Sequence, residues 1–305
     1  MTLALETHAL TKRYGRRTAL ESVDLAVEPG TVFGVIGPNG AGKTTTMRLL
    51  LDLIRPSSGS ITVLGQSPRE GGAALRRCIG YLPGELRLEG RVTGQSLLEH
   101  YAQISGQVAP GVIEQLAERL DLDLSRQIRT LSKGNKQKLG VVQAFMHKPE
   151  LLVLDEPTSG LDPLVQQEVL TMMREARNNG QTVFLSSHML SEIQQAADSV
   201  AILRAGSIVT VSDVDSLRAS AVRRVVATIT GATVDAVRNT LGRDERLTAL
   251  TITPGEAVTL SGTLEGNIDP FVKAIAAFTV ADLRVEEPDL EESVLGLYAK
   301  EATNE

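Results

Sequence analysis

Gly37-Pro38-Asn39-Gly40-Ala41-Gly42-Lys43-Thr44 is the stretch that decides the fold of this 305-residue chain. It fits the spacing Gly, four residues, Gly, Lys, then Ser or Thr, and runs on into Thr45. Glycines in such a loop let the backbone bend, so that successive N–H groups converge on phosphate oxygens. The apolar run from Thr31 to Ile36 precedes it and reads as a buried strand. Met47, Leu50, Leu51 and Ile54 follow at helical spacing and predict a helix from Lys43 to Ile54, stopped by Pro56 and Gly59. A helix opening near Gly42 adds the positive end of its dipole. Lys43 then reaches the β- and γ-phosphates of a nucleotide, and the Thr44 hydroxyl ligates Mg²⁺. The candidate nucleotide-binding residues are therefore Gly37, Pro38, Asn39, Gly40, Ala41, Gly42, Lys43, Thr44 and Thr45.

The other half of such a site is an apolar strand that delivers an acid at its C-terminal end. Leu151-Leu152-Val153-Leu154-Asp155-Glu156 has that form. Asp155 is the candidate Mg²⁺ ligand, acting through water. Glu156 is placed to orient or deprotonate an attacking water as general base.

Working outward, Leu3 to Tyr14 and Thr18 to Val27 read as strands around the turn Gly15-Arg16-Arg17. Strand-like runs recur at Ile61 to Leu64, Ile79 to Leu82, Leu151 to Leu154, Val183 to Leu185 and Val200 to Leu203. Helical patterns from Pro163 to Arg177 and Leu190 to Ala197 lie between them. That alternation implies a largely parallel, helix-covered sheet. Gln95 to Lys148 shows helical periodicity and no good strand, so residues of about 86–148 are expected to be a helical insertion. The expected fold class is thus α/β: a P-loop NTPase with a RecA-like parallel sheet, an antiparallel β subdomain and a helical insertion. The pattern restarts near Asp213. Strands at Arg224–Ile229, Leu247–Ile252, Val258–Ser261 and Val280–Val285 and helices at Thr233–Leu241 and Ile268–Phe278 follow in the order βαββαβ. This predicts a small C-terminal α+β domain over 213–305, ferredoxin-like, with an added helix from Asp289 to Lys300. Residues 1–212 are the expected ATP-binding domain.

Composition excludes several classes. The chain carries 31 basic and 37 acidic residues, for a net charge of −6, and no Trp. A broadly basic nucleic-acid face is not expected. Residues 286–305 hold seven acids and one base, so the preceding body is balanced in charge. Cys78 is the single cysteine, which fits a reducing compartment. No apolar run approaches the roughly 20 residues that span a bilayer. Met1 to Leu10 lacks the pattern of a secretory signal. His8, His100 and His147 form no metal-ligand spacing.

Gly37–Thr45 together with Asp155–Asp162 resembles the ATP-binding subunit of an ABC transporter, over about residues 4–212. The resemblance extends to Leu131-Ser132-Lys133-Gly134-Asn135, which stands where that family has its signature and precedes a helical pattern from Gln137 to Met146. Ser132 and Gly134 match; Lys133 and Asn135 depart from the consensus, and Lys there is similar to drug- and antibiotic-exporter subunits. The resemblance implies that Ser132, Lys133, Gly134 and Asn135 close on ATP bound to a second subunit, homo- or heteromeric, with Asp162 in the connecting loop. It implies that His188 contacts the γ-phosphate as a catalytic partner of Glu156 and Lys43, and that Tyr14 stacks on adenine. Lys12, Arg13, Arg16 and Arg17 beside it read as a basic exposed hairpin, with no specific role expected of them against the alternatives of a cation–π contact or a positive field. Where the family carries a metal-binding Gln, this chain has Gly84, with Glu85 or water as alternatives for that ligand. The implied cofactors are ATP and Mg²⁺. The implied partners are an integral-membrane permease and the second ATP-binding subunit, with no nucleic acid. The implied location is cytoplasmic, peripheral at the cell membrane. A soluble ABC ATPase without a transport role and an importer subunit stay open beside export of a drug-like or lipid-like substrate.

Overall fold

The computed structural model describes residues 2–219, 223–242, 246–264 and 268–286. The helix expected from Asp289 to Lys300 lies outside these residues. Contacts divide the chain into two compact units, Met1–Ser212 and Asp213–Glu305.

In the first unit, β1 (Leu5–Tyr14) and β2 (Arg17–Val27) form an antiparallel hairpin. Its turn is Gly15-Arg16, and Arg17 already belongs to β2. The buried β3 (Val32–Ile36) leads through the phosphate loop into α1 (Lys43–Leu50). That helix ends four residues before the expected Ile54. Leu51 caps it, and Asp52 turns the chain in the left-handed region at φ 54°. Next come β4 (Ser58–Val63), α2 (Pro68–Arg77) and β5 (Ile79–Leu82). Sequence periodicity missed α2, whose Gly71-Gly72 pair and four charged residues leave few apolar positions to show a period. The insertion holds α3 (Gly94–Ser105), α4 (Val112–Arg119), a short 3-10 turn at Ile128–Thr130 and α5 (Lys133–Phe145). Then follow β6 (Leu151–Asp155), α6 (Pro163–Asn178), β7 (Thr182–Ser187), α7 (Leu190–Ala196), β8 (Ser199–Arg204) and β9 (Ser207–Asp213).

Two sheets result. A three-stranded sheet has the order β2-β1-β4, and β4 runs antiparallel to β1. A six-stranded sheet has the order β5-β6-β7-β3-β8-β9, with parallel pairing from β5 through β8. Strands β3, β6 and β7 are buried along their whole length, as a sheet covered on both faces requires. Phe33 and Phe184, paired across β3 and β7, stack with ring centroids 5.9 Å apart in this core. Phe184 is fully buried. Phe184→Ala is expected to destabilise this unit by about 3–5 kcal/mol, since the cavity adds to the lost transfer energy. Denaturant unfolding of the full chain measures it, and a loss below about 1 kcal/mol would contradict this packing.

The second unit opens with α8 (Val214–Ala219) and continues with β10 (Arg223–Thr230), α9 (Val234–Leu241), β11 (Leu247–Thr253), β12 (Val258–Leu264), α10 (Asp269–Ile275) and β13 (Thr279–Glu286). Its antiparallel sheet has the order β11-β12-β10-β13. First and third strands are central and second and fourth lie at the edges, the ferredoxin-like arrangement. Val225, Ala227 and Ile229 alternate inward along β10 and pack with Val237 and Leu241 of α9 and Phe271 and Ile275 of α10. Thr233 caps α9 by accepting the Ala236 N–H at 3.3 Å.

Candidate nucleotide site

The C-terminal ends of β3, β6 and β7 adjoin in the sheet, so the loops that leave them meet. The loop after β3 turns into α1 at Gly42, with φ 117°. A Cβ there would lie 2.6 Å from Leu20 Cδ2 and 2.8 Å from the Ala19 carbonyl oxygen. Both the backbone angle and the space therefore require glycine. No side chain caps α1. Its first N–H groups stay available to an anion, and the helix dipole adds to their attraction.

Lys43 begins α1 and is 7% exposed. Its Nζ donates to the Gly37 carbonyl at 2.6 Å and lies 3.6 Å from Glu156 Oε1. A buried ammonium needs such partners. Asp155 ends β6, is 1% exposed and accepts from Ser186 Oγ of β7 at 2.5 Å. Glu156 follows with φ 51°, a conformation uncommon for a non-glycine residue. Its N–H is held by the Ser186 carbonyl at 3.2 Å and by Ser186 Oγ at 3.1 Å. That turn carries the carboxylate out of the sheet end, where Oε2 meets His188 Nδ1 and Oε1 faces Lys43. His188 follows β7 directly.

These groups face one cleft of about 770 Å³, within the usual size of a small-ligand site. Tyr14, Pro38 to Thr45, Asp155, Glu156 and His188 all line it, and Gly37 lies just beneath through its bond to Lys43. Tyr14 is 48% exposed at the rim, with Lys12 Nζ 5.0 Å from its ring centroid, inside cation–π range. Arg17 also lines the cleft, so one of the four basic residues of the hairpin has a place there.

Other cleft residues escaped sequence reasoning. Arg48 lies one turn after Thr44 on α1, a helical spacing that puts both on one face. It sits beside Tyr81, which also lines the cleft. Burial, and then the neighbouring Asp155 carboxylate, push the Tyr81 hydroxyl above its ordinary pKa, so Tyr81 is neutral at pH 7. Ser159 completes the wall beyond Glu156. Gln137, buried on α5, donates to the Glu156 carbonyl at 3.2 Å and the Pro157 carbonyl at 3.1 Å, tying the insertion to the loop after β6. No local motif marks it.

Ser132, Lys133, Gly134 and Asn135 do not line the cleft. Ser132 caps α5 by accepting the Asn135 N–H at 3.2 Å, so the helix begins at Lys133, four residues before the expected Gln137. Ser132 and Lys133 are exposed. Asp162, also exposed, caps α6 by accepting the Val165 N–H at 3.1 Å. A Cβ on Gly84 would lie 3.1 Å from Asp155 Oδ2. Glu85 lines the cleft, but its carboxylate is 78% exposed and paired with Arg87 at 3.0 Å.

The donors fit Mg²⁺. The Thr44 hydroxyl and the Asp155 carboxylate are hard oxygen ligands. Mg²⁺ is usually held by one or two such carboxylates plus substrate phosphates and water. Among the described residues no group of three or more His, Cys, Asp or Glu side chains converges as a metal site. Among the described residues, no helix is long and apolar enough to cross a membrane.

The sequence pattern of the ABC transporter family matches residues 20–159. The bacitracin transport ATP-binding protein of Enterococcus faecalis is 36% identical over 212 residues, which are 68% of this chain and 69% of that protein. The daunorubicin resistance ATP-binding protein of Streptomyces coeruleorubidus is 38% identical over 221 residues, 71% of this chain and 70% of that one. Among solved structures, an ATP-binding subunit of an ABC transporter superposes with a TM-score of 0.66 at 33% identity, covering 71% of this chain and 92% of that one.

Proposed function

The chain belongs to the family of ABC transporter ATP-binding proteins, and on that premise we propose that it hydrolyses ATP to drive export through a separate membrane permease. The observation that carries this reading is the meeting of Lys43, Glu156 and His188 at the mouth of the phosphate loop. In this reading 1–212 is the ATP-binding domain and 213–305 an accessory domain.

The roles follow from the geometry. Tyr14 offers a flat face to adenine at the rim. Backbone N–H groups of Gly40 to Thr45 and the Lys43 ammonium hold the β- and γ-phosphates and neutralise their charge. Thr44 and Asp155 would hold Mg²⁺, which supplies further charge neutralisation at the phosphates. Glu156 accepts a proton from a water, whose oxygen forms the new bond to the γ-phosphorus as the bond to the β-bridging oxygen breaks. The products are ADP and inorganic phosphate. His188, held against Glu156 Oε2, keeps that carboxylate aimed and meets the γ-phosphate. Catalysis is then chiefly positioning and electrostatics.

The signature residues Ser132 to Asn135 lie outside the lining of this cleft, with Ser132 and Lys133 exposed. A second subunit docked head to tail would bring its own set over the γ-phosphate, where the helix α5 N-terminus is suited to an anion. Bacitracin transport and daunorubicin resistance, the roles named for the two relatives, point to a drug- or antibiotic-like substrate.

The test is Mg-ATP turnover by the full chain, alone and with a co-expressed candidate permease, together with ATP-dependent drug uptake into inside-out vesicles. Turnover that rises with the permease and drives uptake is expected. Turnover indifferent to any permease would instead mark a soluble ATPase, and a chain without turnover overturns the reading.

A further inference from the structure

The geometry points to Glu192 as the positioning residue that locks Glu156, the proposed general base, and His188 into one unit. This rests on the ATPase reading above. Glu192 lies on α7, off the cleft lining, and is 5% exposed. A buried carboxylate is costly unless its oxygens are hydrogen-bonded. Here each oxygen has its own donor. The Thr158 hydroxyl donates to Oε1, and the Ser187 hydroxyl donates to Oε2 at 2.6 Å. Both donors are themselves buried.

What matters is where those hydroxyls sit. Thr158 belongs to the turn that follows Glu156, closed by the Ser159 N–H to the Glu156 carbonyl at 3.1 Å. Ser187 is the residue before His188. Its Oγ accepts the Met189 N–H at 2.9 Å and so closes the turn that presents the histidine. Glu192 therefore joins the loop of the base to the loop of the histidine, 32 residues apart in sequence. Both oxygens accept a hydroxyl, which an apolar side chain of the same size would not do. A charge-assisted bond is roughly twice as strong as a neutral one, so two of them make a stiff brace.

Glu192→Ala, Glu192→Gln and Thr158→Val test this in the full chain, by ATP titration, steady-state turnover and thermal unfolding. Glu192→Ala is expected to lower kcat on the order of 10²-fold with KM changed less than about threefold, as for a misplaced catalytic group. Glu192→Gln keeps the shape and one acceptor oxygen, while its amide N–H must donate to the other hydroxyl, reversing that contact; it should recover to within about tenfold of the parent. Thr158→Val should lose about tenfold, because one arm of the brace is gone. Combined with His188→Ala, Glu192→Ala should cost about tenfold more, less than in the parent background, since only the arm to the loop of the base is left to lose. Fully additive losses would make Glu192 a structural residue and overturn the proposal. Parental kcat in folded Glu192→Ala overturns it as well. Should that variant not fold, parental kcat in both Glu192→Gln and Thr158→Val does so instead. A parent chain without ATP turnover fails both this proposal and the ATPase reading; a parent that turns over with indifferent Glu192 variants fails the proposal alone.

Discussion

Glu156→Gln is expected to stop ATP turnover while leaving ATP bound, and to convert the chain into a stable dimer in Mg-ATP. The amide copies the carboxylate's shape, so the turn at φ 51° and the bonds from Ser186 to the backbone N–H are retained. It still offers one oxygen to Lys43 or to His188. What it cannot do is take a proton from water. Loss of a general base costs about 10²–10⁴-fold in rate. Unhydrolysed ATP then persists between two subunits, and the signature residues of one copy stay against the phosphates of the other. Size-exclusion runs with and without Mg-ATP read the dimer, and release of phosphate reads the rate. Multiple turnovers at the parental rate would remove Glu156 from its role. A slow variant that stays monomeric would remove the composite site.

Lys43→Ala is expected to weaken ATP binding about 10- to 100-fold, by loss of a charge-assisted hydrogen bond in the range of about 1.5–3 kcal/mol. The ammonium is buried between the Gly37 carbonyl at 2.6 Å and Glu156 at 3.6 Å. Substitution removes the positive charge and leaves Glu156 without its cationic neighbour, so two negative groups, carboxylate and γ-phosphate, would share the cleft. Lys43→Arg is not expected to rescue binding. The planar guanidinium is wider than an ammonium and does not fit a niche that holds a point charge at 2.6 Å. Titration with a fluorescent ATP analogue measures the affinity, and the thermal shift with excess ATP gives an independent reading through linkage. Affinity within about twofold of the parent in Lys43→Ala would contradict the assignment.

Much of the site was legible because its chemistry is local. A loop that cradles phosphate needs its glycines, lysine and hydroxyl within eight consecutive positions, and Gly37 to Thr44 provides them. An acid delivered to the same cleft needs only an apolar strand before it, as Leu151 to Leu154 provides. The departures were equally physical. The helix after the phosphate loop stops at Leu50, because Asp52 turns left-handed before the apolar period runs out. The helix after the signature begins four residues early, because the Ser132 hydroxyl caps it, and a cap is set by backbone geometry as well as residue type. Arg48 and Tyr81 carry no motif of their own, so nothing marks them until α1 and β5 place them along the same cleft.

Residue order alone already dictates the phosphate loop, the acid that faces it and the alternation of strands and helices, because each depends on neighbours within a few positions. It could also foresee a βαββαβ unit after Asp213. What only the folded chain decides is which strands become neighbours. β3 lies between β7 and β8, and β7 lies beside β6, so Ser186 reaches Asp155 and His188 reaches Glu156. Parallel strands are paired by burial and crossover handedness, not by the residues that join them. The Glu192 brace depends wholly on that pairing. Its carboxylate, and the two hydroxyls it holds, are ordinary residues in the sequence and become a device only where two loops are folded onto one another.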